Sequence, residues 1–431
     1  MNADLIIIGA GPGGYETAVR AAKAGLQVVI IEKEHLGGTC LNAGCIPTKC
    51  LCHSAEVQDE WEASVARKNE VVERLKAGVA QLMKTPDISF VEGEAHFVDA
   101  HTISVNKELY TAPHIIIATG SKTKFLPIPG AHAKGVVTST EILNLGQPPR
   151  RLAIIGGGVI GLEFASIFRS FGAEVSVIEF CKEILPQFDR ELAKRLRTSL
   201  KKRGIEFYVG AAAKEIHEGT PLVVDFESKG KVQSIEADLV LMAVGRAANL
   251  DSLNLSTVGI ETSPRGIVVD EHMQTSVPGI YAIGDVNGLM QLAHAASAQG
   301  RVALRHILNE ESRVKNERII VPCAVFTVPE AAMAGQTEEQ LEQAGIEYGV
   351  HKAFYRTNGK ALAMEADDGY VKLLTDAEGH ILGTHILGAH ASDLIHEATL
   401  AMQLGATVRD IATTVHAHPS LSEILLAAAE A

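Results

Sequence analysis

Short apolar runs alternate with amphipathic stretches over the first 250 residues. Asp4-Leu5-Ile6-Ile7-Ile8 is continuous rather than alternating, the pattern of a strand covered on both faces. A helix is predicted from about Gly13 to Ala24, then a strand from Gln27 to Glu32. The same order returns later, with a strand over Arg151–Ile155, a helix over Val159–Phe171 and a strand over Glu174–Glu179. One βαβ unit is thus repeated, which implies two dinucleotide-binding domains of related design. Between them, Ser54–Met83 reads as helical, His114–Ala118 as a strand, and Gly146-Gln147-Pro148-Pro149 as a linker. After about Pro322 the pattern changes. Strands are expected over Tyr370–Leu374 and His380–Leu387, turning at Asp376-Ala377-Glu378-Gly379, with helices over Ser392–Leu404 and Thr407–Thr414. This last region is an α+β domain without a phosphate-binding loop. The expected fold class is α/β, with an α+β domain at the C-terminus.

Length changes this picture little: 431 residues suggest about three domains. Charge excludes more. Lys and Arg total 39 against 52 Asp and Glu, a net −13, so no basic face for nucleic acid is expected. No uncharged apolar run approaches the roughly 18 residues of a membrane span. The first strand begins at Leu5, leaving no room for a leader, so a cytoplasmic location is expected. Six cysteines in 431 residues do not make a disulfide scaffold; closely spaced ones suggest catalysis or metal.

Each βαβ unit carries a glycine motif where chemistry needs it. Gly9-Ala10-Gly11-Pro12-Gly13-Gly14 follows a strand and opens a helix. Glycines let the backbone turn tightly and approach a pyrophosphate, and the helix N-terminus offers free N–H groups. Glu32 ends the next strand, placed to accept from a ribose. Gly156-Gly157-Gly158-Val159-Ile160-Gly161 repeats the design, with Glu179 as its acid. The interval from first glycine to acid is 23 residues in both copies. A carboxylate at Glu179 suits the 2′-hydroxyl of NAD and repels the 2′-phosphate of NADP. One site should therefore prefer NAD, and the other must hold a second dinucleotide.

Gly38-Thr39-Cys40-Leu41-Asn42-Ala43-Gly44-Cys45-Ile46-Pro47-Thr48-Lys49 begins six residues after Glu32. On a regular helix, five residues rise about 7.5 Å, beyond the reach of a disulfide. If Cys40 and Cys45 bridge, the chain must leave the helix near Asn42–Gly44. Metal binding is the rival reading, though no second cysteine pair stands at zinc spacing; inert buried thiols are the third. Cys50 and Cys52 read as small core residues.

Gly38–Lys49 resembles the active-site segment of the pyridine nucleotide-disulfide oxidoreductases, and both glycine fingerprints fall where that family has them. Tyr281-Ala282-Ile283-Gly284-Asp285 is similar to its second flavin motif. His416-Ala417-His418-Pro419-Ser420-Leu421-Ser422-Glu423 is similar to its C-terminal signature. The resemblance covers essentially the whole chain. It implies FAD and NAD as cofactors, two Rossmann-like domains and a C-terminal dimerisation domain. FAD would occupy 1–147, with 263–321 completing its site; NAD would occupy 148–262; the homodimer interface would be 322–431. It implies FAD contacts from Gly9, Gly11, Gly14, Glu32, Lys49, Ala95, Thr119, Gly120, Asp285 and Ala293, and NAD contacts from Gly156, Gly158, Gly161, Glu179 and Gly245. Cys45 would be the charge-transfer thiol and Cys40 the interchange thiol, with Lys49 near the flavin paired with Glu163. No metal is implied. Within the family, Cys-Leu-Asn-x-Gly-Cys-Ile-Pro, Leu292-Ala293-His294 and His-Ala-His-Pro point to members that oxidise dihydrolipoamide. A lipoylated carrier protein of a 2-oxoacid dehydrogenase complex or the glycine cleavage system would then be the partner.

His418 has a role that chemistry alone requires. Only a thiolate attacks a disulfide, so dithiol oxidation needs a base. Glu423, five residues on, can fix the imidazole tautomer. His416 reads as a core histidine. The segment Gly245-Arg246-Ala247-Ala248-Asn249 lacks the family's usual proline, and Thr48 and Ser420 are conservative exchanges. Set beside the family pattern, the chain is expected to be shorter than most relatives, the difference falling between Ser54 and Phe90 and after Glu423. Two other readings remain: a reductase of another disulfide or Hg(II), and a non-catalytic flavoprotein scaffold. No arginine stands close after Glu179 and no C-terminal cysteine pair exists, which weighs against the first. The retained cysteines and His–Glu pair weigh against the second.

Overall fold

Ile6, Ile8, Val29, Ile31, Ile115 and Ile117 turn to one side of a parallel sheet, and Leu5, Ile7, Val28, Ile30 and Ile116 to the other. That is why these strands carry no polar alternation: both faces are covered. In the computed structural model, which describes residues 1–310 and 319–431, the chain forms two compact units. The first comprises Met1–Cys50, Ala63–Lys124 and Gly245–Glu317; the second Leu51–Glu62, Phe125–Val244 and Arg318–Ala431. Residues 311–318, inside the expected segment 263–321, lie outside the described residues.

The first unit is built on a five-stranded parallel sheet ordered Ile280–Ala282, His114–Ile117, Leu5–Ile8, Val28–Glu32, Ile88–Glu92. Helices Pro12–Lys23 and Ala293–Ile307 cover one face; an antiparallel sheet of His96–Asp99, Thr102–Val105 and Glu108–Thr111 covers the other. Helix meets helix closely: a Cβ on Gly13 would lie 3.0 Å from Ala296 Cβ.

The second unit repeats this plan. Its parallel sheet runs Ile205–Val209, Glu174–Glu179, Arg151–Ile155, Leu239–Met242, Val136–Val137, with a three-stranded antiparallel sheet over Ala211–His217, Leu222–Ser228 and Lys231–Ala237. Its C-terminal part is a five-stranded antiparallel sheet ordered Cys323–Val325, Glu330–Gly335, Ile381–Gly388, Tyr370–Thr375, Gly349–Phe354. Helix Ala391–Leu404 lies on it through Ile395 and Ala398. A buried ion cluster joins helix Arg190–Lys202 to this sheet. Lys372, fully buried, donates to Asp189 at 2.7 Å and to Glu338, and Asp189 caps the helix by accepting from Leu192 N.

The expected elements stand within a residue or two, with one exception. The helical stretch over 54–83 is two helices, Cys45–Glu56 and Trp61–Leu82. Gln58 has φ 59°, a left-handed conformation that no helix continues through. Trp61 then anchors the second helix, its ring 5.0 Å from Phe171 and its indole N–H donating to Leu145 O at 3.1 Å. Among the described residues, no helix is long and apolar enough to cross a membrane.

Candidate active site

The cysteine pair is built by a break in a helix. Helix Gly38–Ala43 stops at Gly44, and a second helix starts at Cys45. The departure expected near Asn42–Gly44 is there. A side chain at Gly44 would lie 2.9 Å from Thr39 O and 3.2 Å from Cys40 Cα, so only glycine lets Cys45 fold back onto Cys40. Thr48 holds the break, its hydroxyl and N–H both donating to Gly44 O, at 2.7 and 3.1 Å. Asn42 closes the preceding turn through Leu36 O and Gly38 O, at 3.0 and 2.9 Å.

Both sulfurs are half-buried and in hydrogen-bond contact with each other. The bond to Cys45, then burial, holds the Cys40 thiol far above its ordinary range; Lys49 nearby opposes this. Cys50 is buried, and the half-buried Cys52 donates to Phe326 O at 3.3 Å, as packed small residues do.

This segment is fastened to the first glycine loop. Gly37 N–H donates to Ala10 O at 2.9 Å, and a Cβ on Gly38 would lie 2.7 Å from Gly11 Cα. Gly9, Gly11 and Gly14 shape that loop, and Glu32 accepts from Ala10 N at 2.7 Å and Glu34 N at 2.8 Å. Thr119 Oγ1 donates to Asn249 O at 2.7 Å, while Gly120, at φ +71°, faces open space. Asp285 accepts from Ser121 Oγ at 2.5 Å, and Arg246 clasps Ser121 through Oγ and O, at 2.6 and 2.5 Å. Ala293 opens helix Ala293–Ile307, and Ala95 is buried against the small antiparallel sheet. Lys49 is half-buried on helix Cys45–Glu56.

In the second unit, Gly156, Gly158 and Gly161 form the matching loop. Glu179 accepts from Gly157 N at 2.5 Å and Cys181 N at 2.6 Å. Gly245, back in the first unit, has φ +108° and open space around it. Glu163 is buried on helix Val159–Ser170 and accepts from Phe326 N at 3.1 Å. His418 Nδ1 stands 2.9 Å from Glu423 Oε1, and Glu423 Oε2 accepts from Ser420 N at 2.8 Å. The Ser420 N–H, then His418, hold the Glu423 carboxyl below its usual range. With Nδ1 turned to the carboxylate, Nε2 is the ring nitrogen left to face a substrate. The His418 side chain is 79% exposed. That of His416 is 5% exposed and lies between Thr414 O and Glu397, the core histidine expected.

The family described as "Pyridine nucleotide-disulphide oxidoreductase" matches residues 3–300, and its dimerisation domain matches 321–429. The chain belongs to the pyridine nucleotide-disulphide oxidoreductases. The dihydrolipoyl dehydrogenase of Geobacillus stearothermophilus is 40% identical, over 100% of this chain and 96% of that one. That of Bacillus subtilis (strain 168) matches at the same identity and coverage, 40%, 100% and 96%. Among solved structures, the HOCl-induced flavoprotein disulfide reductase RclA from Escherichia coli superposes with a TM-score of 0.92 at 33% identity, covering 99% of each chain.

This oxidoreductase uses FAD and NAD, and its residues fit both. Neither Pro12–Lys23 nor Val159–Ser170 has a side-chain cap, so their first N–H groups are left for phosphate oxygens. A Cβ at Gly11 or Gly158 would meet nothing within 4 Å, the room a pyrophosphate needs. Motif and spacing alone do not single out Arg246, Ser121, Gly157 or Cys181. Arg246 stands in the very segment notable for its missing proline, the one signal available.

Proposed function

We propose that the chain oxidises dihydrolipoamide carried on a lipoylated protein, reducing NAD⁺ to NADH. The observation that carries this reading is the Cys40–Cys45 pair, two neighbouring sulfurs in hydrogen-bond contact and fastened to a dinucleotide loop. The names of the relatives that match at 39–40% identity supply the substrate.

His418 Nε2 takes the proton of the first substrate thiol. The thiolate attacks Cys40 Sγ of the oxidised pair, the Cys40–Cys45 bond breaks, and Cys45 leaves as thiolate. As the second substrate sulfur attacks the first, its proton passes to the departing Cys40, so cyclic lipoamide forms, Cys40 leaves as a thiol, and the first proton stays on His418. Glu423 stabilises the imidazolium in between. Bound FAD supplies the two-electron path from the dithiol to NAD⁺. Glu32, Thr119, Gly120, Asp285, Ala95 and Ala293 are assigned to FAD with the first loop, and Glu179 and Gly245 to NAD with the second. Residues 1–147 and 263–321 carry the flavin, 148–262 the nicotinamide nucleotide, and 322–431 the interface. Lys49 is assigned to the flavin.

The active form is a homodimer in which His418 of one chain serves Cys40 of the other. Exposure of His418 supports this, as do Val415, Leu404 and Leu400, exposed by 95%, 74% and 60%. Such apolar surface calls for a covering partner. The partner outside the dimer is a lipoyl domain, and the place of action is the cytoplasm. Two inactive variants, Cys45→Ser and His418→Gln, denatured together and refolded, should regain activity in heterodimers. Heterodimers confirmed by mass but without activity would rule the shared site out. RclA's likeness favours a second reading, reduction of a different disulfide. Turnover of free dihydrolipoamide with NAD⁺ decides between them.

A further inference from the structure

Gly157 is not one of the three glycines of its fingerprint, and its backbone conformation does not demand glycine. Space does. A Cβ there would lie 3.1 Å from Glu179 Cβ, 3.2 Å from Glu179 Cγ and 3.1 Å from Ile184 Cγ2. Ile184 is fully buried behind it and has no room to retreat. The Gly157 N–H holds Glu179 Oε2 at 2.5 Å. Cys181 completes the grip: its N–H holds Oε1 at 2.6 Å, and its thiol also hydrogen-bonds the carboxylate. The first loop differs at both points. Ala10 stands where Gly157 does, and the third donor to Glu32 is a backbone N–H, that of His35 at 3.3 Å.

We propose that Gly157 and Cys181 are positioning residues for nucleotide choice, aiming the Glu179 carboxylate at the ribose hydroxyls of NAD. The proposal rests on the reading of Glu179 as the ribose acceptor. A methyl at 157 pushes the Glu179 stem by a few tenths of an ångström. Loss of the Cys181 thiol removes one donor and frees the carboxylate to rotate. Both changes weaken the ribose contact without reaching the flavin loop.

The test uses FAD-loaded dimers of wild type, Gly157→Ala, Cys181→Ala, Cys181→Ser and Glu179→Gln. KM and kcat are measured for NADH and NADPH with an artificial quinone acceptor, together with FAD per chain. Gly157→Ala and Cys181→Ala should each raise the NADH KM by about 3–10-fold, the scale of one typical net hydrogen bond. The NADH:NADPH preference should shrink, kcat stay within about twofold, and FAD content hold. Cys181→Ser, which keeps a donor, should recover most of the loss. A merely structural role would move FAD content or kcat and would not be rescued by serine. If both alanine variants keep the wild-type NADH KM and preference while Glu179→Gln loses its preference, the positioning role is overturned. If Glu179→Gln itself keeps the preference, the ribose reading fails and this proposal falls with it. Should Gly157→Ala fold poorly, the Cys181 pair decides alone.

Discussion

The two dinucleotide folds of this chain match closely at their loops and diverge just beyond them. Gly9 and Gly156 have φ +105° and +115°, and a Cβ on either would lie 2.3 Å from a carbonyl, of Ala118 or Ala243. A Cβ on Gly14 or Gly161 would lie 1.9 or 2.1 Å from the first glycine's own carbonyl. Each acid accepts from the N–H after that glycine, Ala10 at 2.7 Å and Gly157 at 2.5 Å. Beyond the second strand the likeness ends. The first copy runs into the cysteine segment, fastened back onto its loop. The second runs through Phe180, 77% exposed, to Asp189 and a capped helix. Each sheet also borrows its outer strand across the other copy: Ile280–Ala282 comes from after the second fold, Val136–Val137 from before it. The shared part is what any dinucleotide requires. The copies part in the segment beyond the second strand, which carries the cysteine pair in one and a capped helix in the other.

The sharpest way to separate the two halves is to remove the base. His418→Gln should cost dithiol oxidation about 10²–10⁴-fold, the usual worth of a general base. NADH oxidation by an artificial acceptor needs no such base and should persist. Equal loss of both activities would mean structural damage rather than a base.

The next effect is on stability and lies in the second unit. Burial pushes the His385 imidazole down to about 4, with Asp189 opposing and Lys372 assisting. A histidine kept neutral by the fold stabilises it fully above its ordinary value of about 6.5, and that stability is lost as pH falls toward 4. The difference corresponds to about 3 kcal/mol. Denaturant unfolding at pH 7 and pH 4 should therefore show a larger acid loss in wild type than in His385→Asn. Parallel pH profiles would refute it.

Matched alanine substitutions probe the shared loops themselves. Gly14→Ala and Gly161→Ala each drive a methyl into a carbonyl and should cost roughly 1–3 kcal/mol. Gly14→Ala should lower bound FAD per chain, whereas Gly161→Ala should keep FAD and raise the NADH KM. Loss of FAD in both would show that the loops are not independent.

The smallest effect concerns cofactor choice. Glu179→Gln should narrow the NADH:NADPH preference by about tenfold, one hydrogen bond to a charged group. Glu32→Gln should leave that preference alone. A change at Glu32 as large as at Glu179 would reverse the assignment of the two folds.

Much of this architecture is legible in the amino-acid sequence. Strand, loop, helix and acid repeat in order, because a parallel strand covered on both faces must be apolar throughout and a loop at a pyrophosphate must be bare. The cysteine pair, its helix break at Gly44 and the His418–Glu423 pair are local, with partners a few residues apart, so spacing alone exposes them. The break after Glu56 is not legible, since Trp61 is fixed by Phe171 and Leu145, distant in the chain. Other features depend on positions that only folding brings together. The borrowed outer strands, the burial of Lys372 against Asp189 and Glu338, the clasp of Arg246 on Ser121 and the tight fit of Gly157 against Glu179 join residues 22 to 183 apart in the chain. Local pattern determines which element forms and which chemistry it carries, because those interactions are made with near neighbours. Which distant side chain meets a buried charge or a bare backbone is settled only when the sheets close, because the partner is chosen by packing rather than by sequence distance.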